Sequence, residues 1–505
     1  MENALFKNPI IKQILDYYAT LWALDHLNSL AGWDLRTYMP KEGVVDRGEA
    51  FAKISTLSQK IFLDNKFVSL IKKAENEPDL NSYEKGIIRI LKRSLEKYEK
   101  LPPEFLEEFD KVTTEANNVW EKAKIENNFS LFEPYLEKIV NLCIKKAEYL
   151  GYKGHPYDAL LDEYEEGLTT KEVEEFFSSI KEPLKKILSY IKNSSRYKTE
   201  HPLSLEKYDK KEMENVNLKT LEFLNYDPKK LRLDVSAHPF TTNISLNDHR
   251  ITTWYRENDF ARSLFATIHE YGHALYESQF DSKINYTPLC NFSGLSLSIH
   301  ESQSRFWENM IGRTKQFIHG MHKSILGINP NLVKYNVEEI YNYFNLVKPS
   351  LIRVEADEVS YHFHVMIRFE IEKGLMEGKI KVKDLPKIWN EKYKEYLGIE
   401  PKTDREGVLQ DVHWSSGSIG YFPTYSIGTF LSGLIKYEIE KDIGDLGNLI
   451  KSEDGIKKIQ DWLKEKIHQY GGTYTMKELV KKSFGKDFSP SYFLSYLEKK
   501  YKEVY

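Results

Sequence analysis

His269-Glu270-Tyr271-Gly272-His273 is the stretch of sequence that decides the fold. Apolar residues recur around it at steps of three and four, through Leu264, Ile268 and Leu275, and this spacing predicts an amphipathic helix. On such a helix the two histidines lie one turn apart on the same face, where both rings can reach one metal ion. The stretch therefore predicts a zinc-binding helix and makes the chain a candidate hydrolase.

A third metal ligand has to come from elsewhere in the chain, because a catalytic zinc ion usually has three protein ligands and one open position for water. Glu277 lies two turns beyond the first histidine, about 12 Å along the helix axis at ~1.5 Å per residue, too far to share bonds of about 2 Å. Position 279 is Gln279, which excludes the metzincin pattern of three histidines. The remaining choice is a carboxylate on a second helix, predicted for residues 295–310: Glu301, with His300 as the competing ligand.

Glu270 is the candidate general base. A zinc ion held by two histidines and a glutamate would lower the pKa of its water and polarise a peptide carbonyl. Glu270 would then take the proton of that water and pass it to the leaving amine. The alternative is a solvent-facing helical glutamate, but its position inside the metal motif favours the catalytic role.

The rest of the chain predicts a mostly helical protein with one small sheet. Residues 4–30 form an amphipathic pattern that predicts a helix ending near Gly32. Residues 241–246 and 250–254 are rich in threonine and isoleucine, which predicts a hairpin directly before the metal helix. Residues 352–357 are predicted to open a long helix. The sheet would therefore lie beside the metal site.

Composition excludes several classes of function. The net charge of −4, without a long Lys/Arg run, excludes a typical nucleic-acid-binding surface. The only two cysteines, Cys143 and Cys290, are too far apart for a redox motif and are predicted to be reduced packing residues. The first four residues do not start a signal segment, and no apolar run approaches the ~18 residues of a membrane span. We therefore expect a cytoplasmic protein with no membrane partner, and its high Lys and Glu content is typical of heat-adapted proteins.

Five spaced motifs occur along the chain in one order: Asp248 to Thr252, His269 to His273, His300 to Gln303, Ile352 to Asp357 and Gly407 to Trp414. Together they resemble the thermostable (Taq-type) HExxH metallocarboxypeptidases. The resemblance implies a mostly α, gluzincin-like, two-lobed fold over residues 1–505, forming a single domain with a deep active-site groove. It also implies a homodimer that removes single C-terminal residues from short peptides with broad specificity, using Zn²⁺ that Co²⁺ can replace.

A carboxypeptidase needs a cation for the terminal carboxylate of its substrate, because a buried, unpaired carboxylate would cost several kcal/mol. Arg353 is the first choice, since a guanidinium matches the geometry of a carboxylate and the family's arginine occupies the same motif. The alternative for Arg353 is an ion pair with Asp357, one turn further along the chain. Arg250 is the second choice for the carboxylate.

Several further residues have predicted supporting roles. His413 and Tyr425 are candidates for stabilising the oxyanion or holding the peptide, with packing as the alternative. The residues predicted to orient metal ligands or substrate-binding side chains are His300, Asp357, Asp411 and Asp248.

Two other functions compete with the carboxypeptidase. An endo-oligopeptidase of the same fold would also cut peptides whose C-terminus is amidated. A non-catalytic peptide-binding protein would hold structural metal or none, but structural zinc sites usually have four ligands and many cysteines. Glu270 therefore favours the enzyme.

Overall fold

Helices make up most of the chain in the computed structural model, which describes residues 5–505. The first four residues lie outside the described residues. The predicted absence of a signal segment and the start of the predicted first helix both fall on that part of the chain. The elements before the metal helix are Pro9–Thr37 (α1), Val44–Phe62 (α2), Asn65–Ala74 (α3), Ser82–Lys100 (α4), Pro103–Glu126 (α5), Phe129–Leu150 (α6), Pro156–Leu161 (α7), Thr170–Lys192 (α8), Lys210–Phe223 (α9), Leu231–Val235 (β1), Thr241–Ser245 (β2) and Asp248–Thr253 (β3).

The later part of the chain is helical throughout its regular structure. Its α-helices are Phe260–Ser278 (α10), Leu297–Arg305 (α11), Lys315–Leu326 (α12), Val337–Phe344 (α13), Tyr361–Met376 (α14), Leu385–Leu397 (α15), Pro423–Ile443 (α16), Leu446–Leu449 (α17), Glu453–Lys466 (α18), Met476–Phe484 (α19) and Ser491–Val504 (α20), and a π-helix, Phe306–Gly312, follows α11 directly. The mostly α class predicted from the sequence is confirmed. None of the helices in residues 5–505 has the length and apolar character of a membrane span.

The three strands form one sheet in the order β1-β3-β2. The predicted hairpin is confirmed, since β2 and β3 pair antiparallel with Thr241 opposite Ile251. Strand β1 was not predicted, although Leu231, Leu233 and Val235 alternate with polar residues; it pairs parallel with β3 and so lacks the hairpin turn that marks an antiparallel pair. Both β2 and β3 pack against α10. The sheet therefore lies beside the metal helix, as predicted.

The first helix continues past Gly32, so its predicted end was wrong. Asn8 caps its start by accepting hydrogen bonds from the backbone N–H groups of Ile10 and Ile11. A helical glycine costs only about 1 kcal/mol relative to alanine. The turn beyond Gly32 recovers that cost by burying Trp33, which is 5% exposed.

The prediction that residues 352–357 open a long helix was also wrong. Arg353–Glu355 form one 3₁₀ turn, and α14 begins only at Tyr361. The reason is Asp357, whose carboxylate accepts hydrogen bonds from the backbone N–H groups of Val359 and Ser360, both at 2.9 Å. This local bonding competes with helix formation and holds the chain in a turn.

The chain divides into two compact units. Among the described residues, unit 1 comprises 5–96, 202–344 and 435–488, and unit 2 comprises 97–201, 345–434 and 489–505. Within unit 1, α10 packs against the sheet, α9 and α11. Within unit 2, α5 packs against α6, and α14 packs against α15. Each unit holds one of the two polar clusters described below.

Candidate active site

The close approach of α10 and α11 in unit 1 brings the predicted metal ligands together. Asp259 caps α10 by accepting a hydrogen bond from the backbone N–H of Arg262. A Cβ atom at Gly272 would lie 2.6 Å from the backbone oxygen of Gln303 and 2.7 Å from Cα of Ser304. Only glycine fits there without a shift of the backbone, so the central glycine of the motif allows α11 to lie against α10.

Three ligand atoms converge between these helices. Oε2 of Glu301 lies 3.6 Å from Nε2 of His269 and 3.5 Å from Nε2 of His273, and the three residues offer ligand atoms that all lie within 4.8 Å of one another. Bonds of about 2.0–2.2 Å to one tetrahedral ion place ligand atoms roughly 3.3–3.6 Å apart. Two imidazoles and a carboxylate at this spacing fit one divalent metal ion.

Each of the two histidines has a hydrogen-bond partner at Nδ1, the ring nitrogen that does not face Glu301, and this bond orients the ring. Nδ1 of His269 lies 3.0 Å from Oε2 of Glu308, a carboxylate that can only accept, so Nδ1 carries the hydrogen and Nε2 keeps its lone pair for the metal. Glu308 is itself held by Arg305 at 3.2 Å and by Arg313 at 3.0 Å. Burial raises the pKa of Glu308, but these two guanidinium groups and His269 outweigh it and hold the pKa well below its usual range.

His273 is oriented through a second histidine. Nδ1 of His273 lies 2.5 Å from Nδ1 of His300, whose Nε2 lies 2.9 Å from Oε1 of Glu277. Because the carboxylate accepts, His300 donates from Nε2 and accepts at Nδ1, so Nδ1 of His273 is the donor. This series of hydrogen bonds again leaves Nε2 of His273 free for a metal ion. Glu277, excluded as a ligand by its spacing, contacts the outer histidine instead.

Glu301 presents one oxygen to the histidines. Its Oε1 accepts from Nε of Arg305 at 2.7 Å, and Oγ of Ser304 donates to Oε2 at 2.9 Å. Burial raises the pKa of Glu301, but Arg305 and His269 outweigh it, so the pKa lies well below the usual range. The side chain is therefore an anion, with Oε2 turned toward the histidines.

Glu270 is buried beside these ligands at 8% exposure, so the alternative of a solvent-facing glutamate is wrong. Its Oε2 accepts a hydrogen bond from Oγ1 of Thr241 at 2.6 Å, and the same hydroxyl lies 3.0 Å from the Glu270 backbone oxygen. Burial raises the pKa of Glu270, against the lowering effect of the neighbouring His269. Strand β2 thus fixes a carboxylate that is easier to protonate than usual.

The second polar cluster lies in unit 2 and contains Arg353. Nε and Nη2 of this side chain lie 3.1 and 2.9 Å from Oδ1 of Asp411, and Nη1 lies 3.2 Å from the hydroxyl of Tyr361. Arg353 is 6% exposed. Its partner is thus Asp411, and the alternative of an ion pair with Asp357 is wrong.

His413 and Tyr425 contact each other in the same unit. Nε2 of His413 lies 3.2 Å from the Tyr425 hydroxyl, and the His413 ring packs on Phe422 with centroids 4.5 Å apart. The Arg353 guanidinium lies over the Tyr425 ring, 5.0 Å from its centroid. Burial and the positive charge of Arg353 lower the pKa of His413 to about 4, so this imidazole is neutral at pH 7.

The two remaining aspartates have local partners. The Asp357 carboxylate accepts hydrogen bonds from backbone N–H groups, including that of Lys348 at 3.1 Å. It therefore shapes the turn before α14, and the prediction that it orients a metal ligand or a substrate-binding side chain was wrong. Asp248 pairs with Arg250 through two hydrogen bonds of 2.9 and 2.8 Å, and the Arg250 guanidinium lies 4.5 Å from the Trp33 ring centroid.

Buried Glu372 holds the loop that carries His413. Its carboxylate accepts from Tyr157 at 2.5 Å, from the indole N–H of Trp414 at 2.8 Å and from the backbone N–H of Gly420 at 2.9 Å. Burial raises the pKa of Glu372 to about 7, and the three donors limit the rise. This carboxyl group therefore titrates near neutral pH.

This titration predicts a pH-dependent stability. A carboxyl group with a pKa of about 7 when folded and about 4.3 when unfolded gives stability below pH 4 that is lost as the pH rises through 7. Relative to Glu372→Gln, the wild-type protein should lose on the order of 3 kcal/mol between pH 4 and pH 8. Urea midpoints of both proteins at several pH values measure the difference. Parallel pH curves would contradict it.

Sequence reasoning missed Glu308, Arg305 and Thr241. Arg305 and Glu308 lie four and seven residues after Glu301, the spacing of one helical face, so this signal was available. Thr241 reaches Glu270 only because the sheet packs on α10, and no sequence spacing gives that contact.

A helical fold in which two histidines and a glutamate converge beside a buried glutamate defines the class of metallopeptidases. A model of the family described as carboxypeptidase Taq (M32) metallopeptidase matches residues 13–501. The chain belongs to this family: it is a metallocarboxypeptidase, a metal-dependent hydrolase of peptides.

Individual relatives support the same assignment. The chain is 47% identical to thermostable carboxypeptidase 1 of Pyrococcus furiosus, over 98% of this chain and 99% of that protein. It is 37% identical to carboxypeptidase 1 of Bacillus subtilis, over 98% of this chain and 97% of that protein. A solved structure of Pyrococcus furiosus carboxypeptidase has a TM-score of 0.96 at 47% identity, covering 98% of this chain and all of that one. The M32 carboxypeptidase of Deinococcus radiodurans has a TM-score of 0.93 at 30% identity, over 98% and 99% of the two chains.

Proposed function

We propose that the chain is a zinc-dependent carboxypeptidase in which His269, His273 and Glu301 hold the metal and Glu270 is the general base. The observation that carries this proposal is the convergence of both Nε2 atoms on Oε2 of Glu301. When bound, zinc supplies Lewis acidity, which acidifies water and polarises a peptide carbonyl.

Glu270 would move the proton of the attacking water. Its burial favours the protonated form, so the carboxylate takes up a proton readily and then gives it to the amine that leaves. Thr241 holds one carboxylate oxygen through its hydroxyl, which keeps Glu270 in one orientation. His300 and Glu277 hold His273, and Glu308 holds His269, each with Nε2 presented to the metal.

Arg353 would bind the terminal carboxylate of the substrate. Asp411 fixes its guanidinium from one edge, which leaves hydrogens on Nη1 and Nη2 for a second carboxylate. Neutral His413 and the Tyr425 hydroxyl would donate to the oxyanion or to the peptide backbone. Arg250 stays the second choice. Both arginines pair with an aspartate, but Asp411 also pairs with Arg368, so Arg353 keeps more of its positive charge for a substrate.

Several properties rest on the family resemblance or on composition. They are action on short peptides with broad specificity, replacement of Zn²⁺ by Co²⁺, a homodimer, one domain over residues 1–505, heat stability and a cytoplasmic location. Cys143 and Cys290 are free thiols, in agreement with the prediction that both are reduced. Sedimentation measures the oligomeric state, and cell fractionation measures the location.

Metal removal gives the most direct test of the proposed activity. One short peptide, with a free or an amidated C-terminus, is offered to chelated enzyme and to enzyme restored with zinc or cobalt. We expect stepwise loss of residues from the free terminus only, and only with metal, because an amide cannot pair with a guanidinium as a carboxylate does. Mass spectrometry identifies the products. Internal cuts in both peptides would favour the endo-oligopeptidase, and no cleavage with either metal would contradict the catalytic proposal.

Glu277 tests the orientation of His273. We expect Glu277→Gln to weaken zinc binding about 10–100-fold, because glutamine can donate to His300 and so no longer fixes its tautomer. Competition with a chromogenic chelator measures the affinity. Glu465→Gln is the control, since that side chain is 72% exposed. Equal zinc affinity in both variants would contradict the orienting role.

A further inference from the structure

Arg368 is a fully buried guanidinium that the proposed chemistry has not used. It lies on α14 in unit 2 and is 0% exposed. Its side chain donates to Oδ2 of Asp411 at 2.6 Å, to Oε1 of Gln410 at 2.8 Å and to the backbone oxygen of His364 at 2.8 Å. A side chain with no exposed surface cannot touch a substrate, so any function it has must act through these neighbours.

Two of these partners, Gln410 and Asp411, also bind Arg353. Oε1 of Gln410 accepts from the Arg353 backbone N–H at 2.9 Å as well as from Arg368. Asp411 offers Oδ1 to the Arg353 guanidinium and Oδ2 to Arg368. Gln410 cannot turn, because its Nε2 donates to the backbone oxygens of Leu351 and Glu406. Arg368 thus helps to fix the backbone of Arg353 through Gln410 and its side chain through Asp411.

The charges of this cluster suggest why a second arginine is present. With Arg353 alone, the negative charge of Asp411 would cancel the positive charge that is meant for a substrate. Arg368 contributes a second positive charge to the same carboxylate, so the three side chains keep a net charge of about +1. Glu372, the nearby buried carboxyl group, also interacts electrostatically with Arg368, but burial raises the pKa of Glu372 to about 7, so below pH 7 it is mostly protonated and leaves this net charge in place.

We propose that Arg368 is a positioning residue that keeps Arg353 both oriented and electrostatically positive for the terminal carboxylate of the substrate. This inference rests on the proposed carboxylate-binding role of Arg353. A guanidinium roughly 10 Å from an anion, at an effective dielectric constant of about 20, changes the affinity for that anion on the order of tenfold.

The test uses the metal-loaded enzyme with N-acetylphenylalanine as an anionic inhibitor and its amide as the neutral counterpart. We expect Arg368→Gln to raise the inhibition constant of the acid about tenfold and the substrate KM by a similar factor, with kcat changed less than about threefold. The amide should bind equally to both proteins. Arg368→Lys, which keeps the charge, should raise the inhibition constant of the acid by less than about threefold.

The outcomes separate this inference from the proposed function. Equal losses for acid and amide, equal losses in the glutamine and lysine variants, or no loss at all would overturn the role of Arg368. If Arg353→Gln also leaves binding of the acid unchanged, the carboxylate-binding role of Arg353 itself has failed. Should Arg368→Gln not fold, Arg368→Met takes its place as the variant without the charge: a rise of more than about threefold in the inhibition constant of the acid, with binding of the amide unchanged, supports the proposal, and a smaller rise overturns it.

Discussion

Glu270→Gln is expected to lower kcat by about 10²–10⁴-fold while the enzyme still binds its metal. This range is typical for the loss of a general acid–base group. The amide of glutamine has nearly the shape of the carboxylate and can still accept from Thr241, but it cannot take a proton from water. The metal site should persist because its donors are on other residues, His269, His273 and Glu301.

Metal content, kcat and the unfolding midpoint of Glu270→Gln have to be measured on the same preparation. Because burial already disfavours the charged form of Glu270, the variant should unfold at the wild-type temperature or above it. Thr241→Val is the matched change, since it keeps the side-chain shape and removes only the hydroxyl that holds Glu270; we expect a smaller loss of kcat. Loss of metal from Glu270→Gln, or an unchanged kcat, would contradict the general-base role.

The convergence of the three candidate metal ligands was largely predictable from the sequence because its geometry is local. A spacing of four residues on one helix determines how two histidines meet, and the exclusion of Glu277 needed only the rise per residue. The choice of Glu301 required one more step, the assumption of a second helix. The contact that makes this possible, Gly272 against the backbone of Gln303 and Ser304, depends on packing and could not be derived from spacing.

The surroundings of Arg353 were less predictable because they are built from residues far apart in sequence. The nearest acidic residue on a presumed helix, Asp357, was the obvious partner, whereas the actual partner, Asp411, lies 58 positions away. The presumed helix does not exist there either, since Asp357 binds backbone N–H groups. A sequence pattern predicts contacts within one element, but contacts between elements depend on the tertiary fold.

Arg353→Gln is expected to lower kcat/KM for peptides with a free C-terminus by about 10²–10³-fold. The range corresponds to the 2–5 kcal/mol that follows removal of one partner of a buried charge pair. The fold should survive, because Asp411 keeps Arg368 as its partner at 2.6 Å and is not left as an isolated buried charge.

Arg250→Gln is the matched control, because it removes the same charge from the other candidate. Its partner Asp248 would lose both hydrogen bonds, so this variant is expected to lose stability while its KM for the free peptide stays near that of the wild type. A large rise of KM in Arg250→Gln with little change in Arg353→Gln would move the carboxylate site to the sheet of unit 1. The inference about Arg368 would then fail as well, since Arg368 contacts Asp411 and Gln410 and acts only through Arg353.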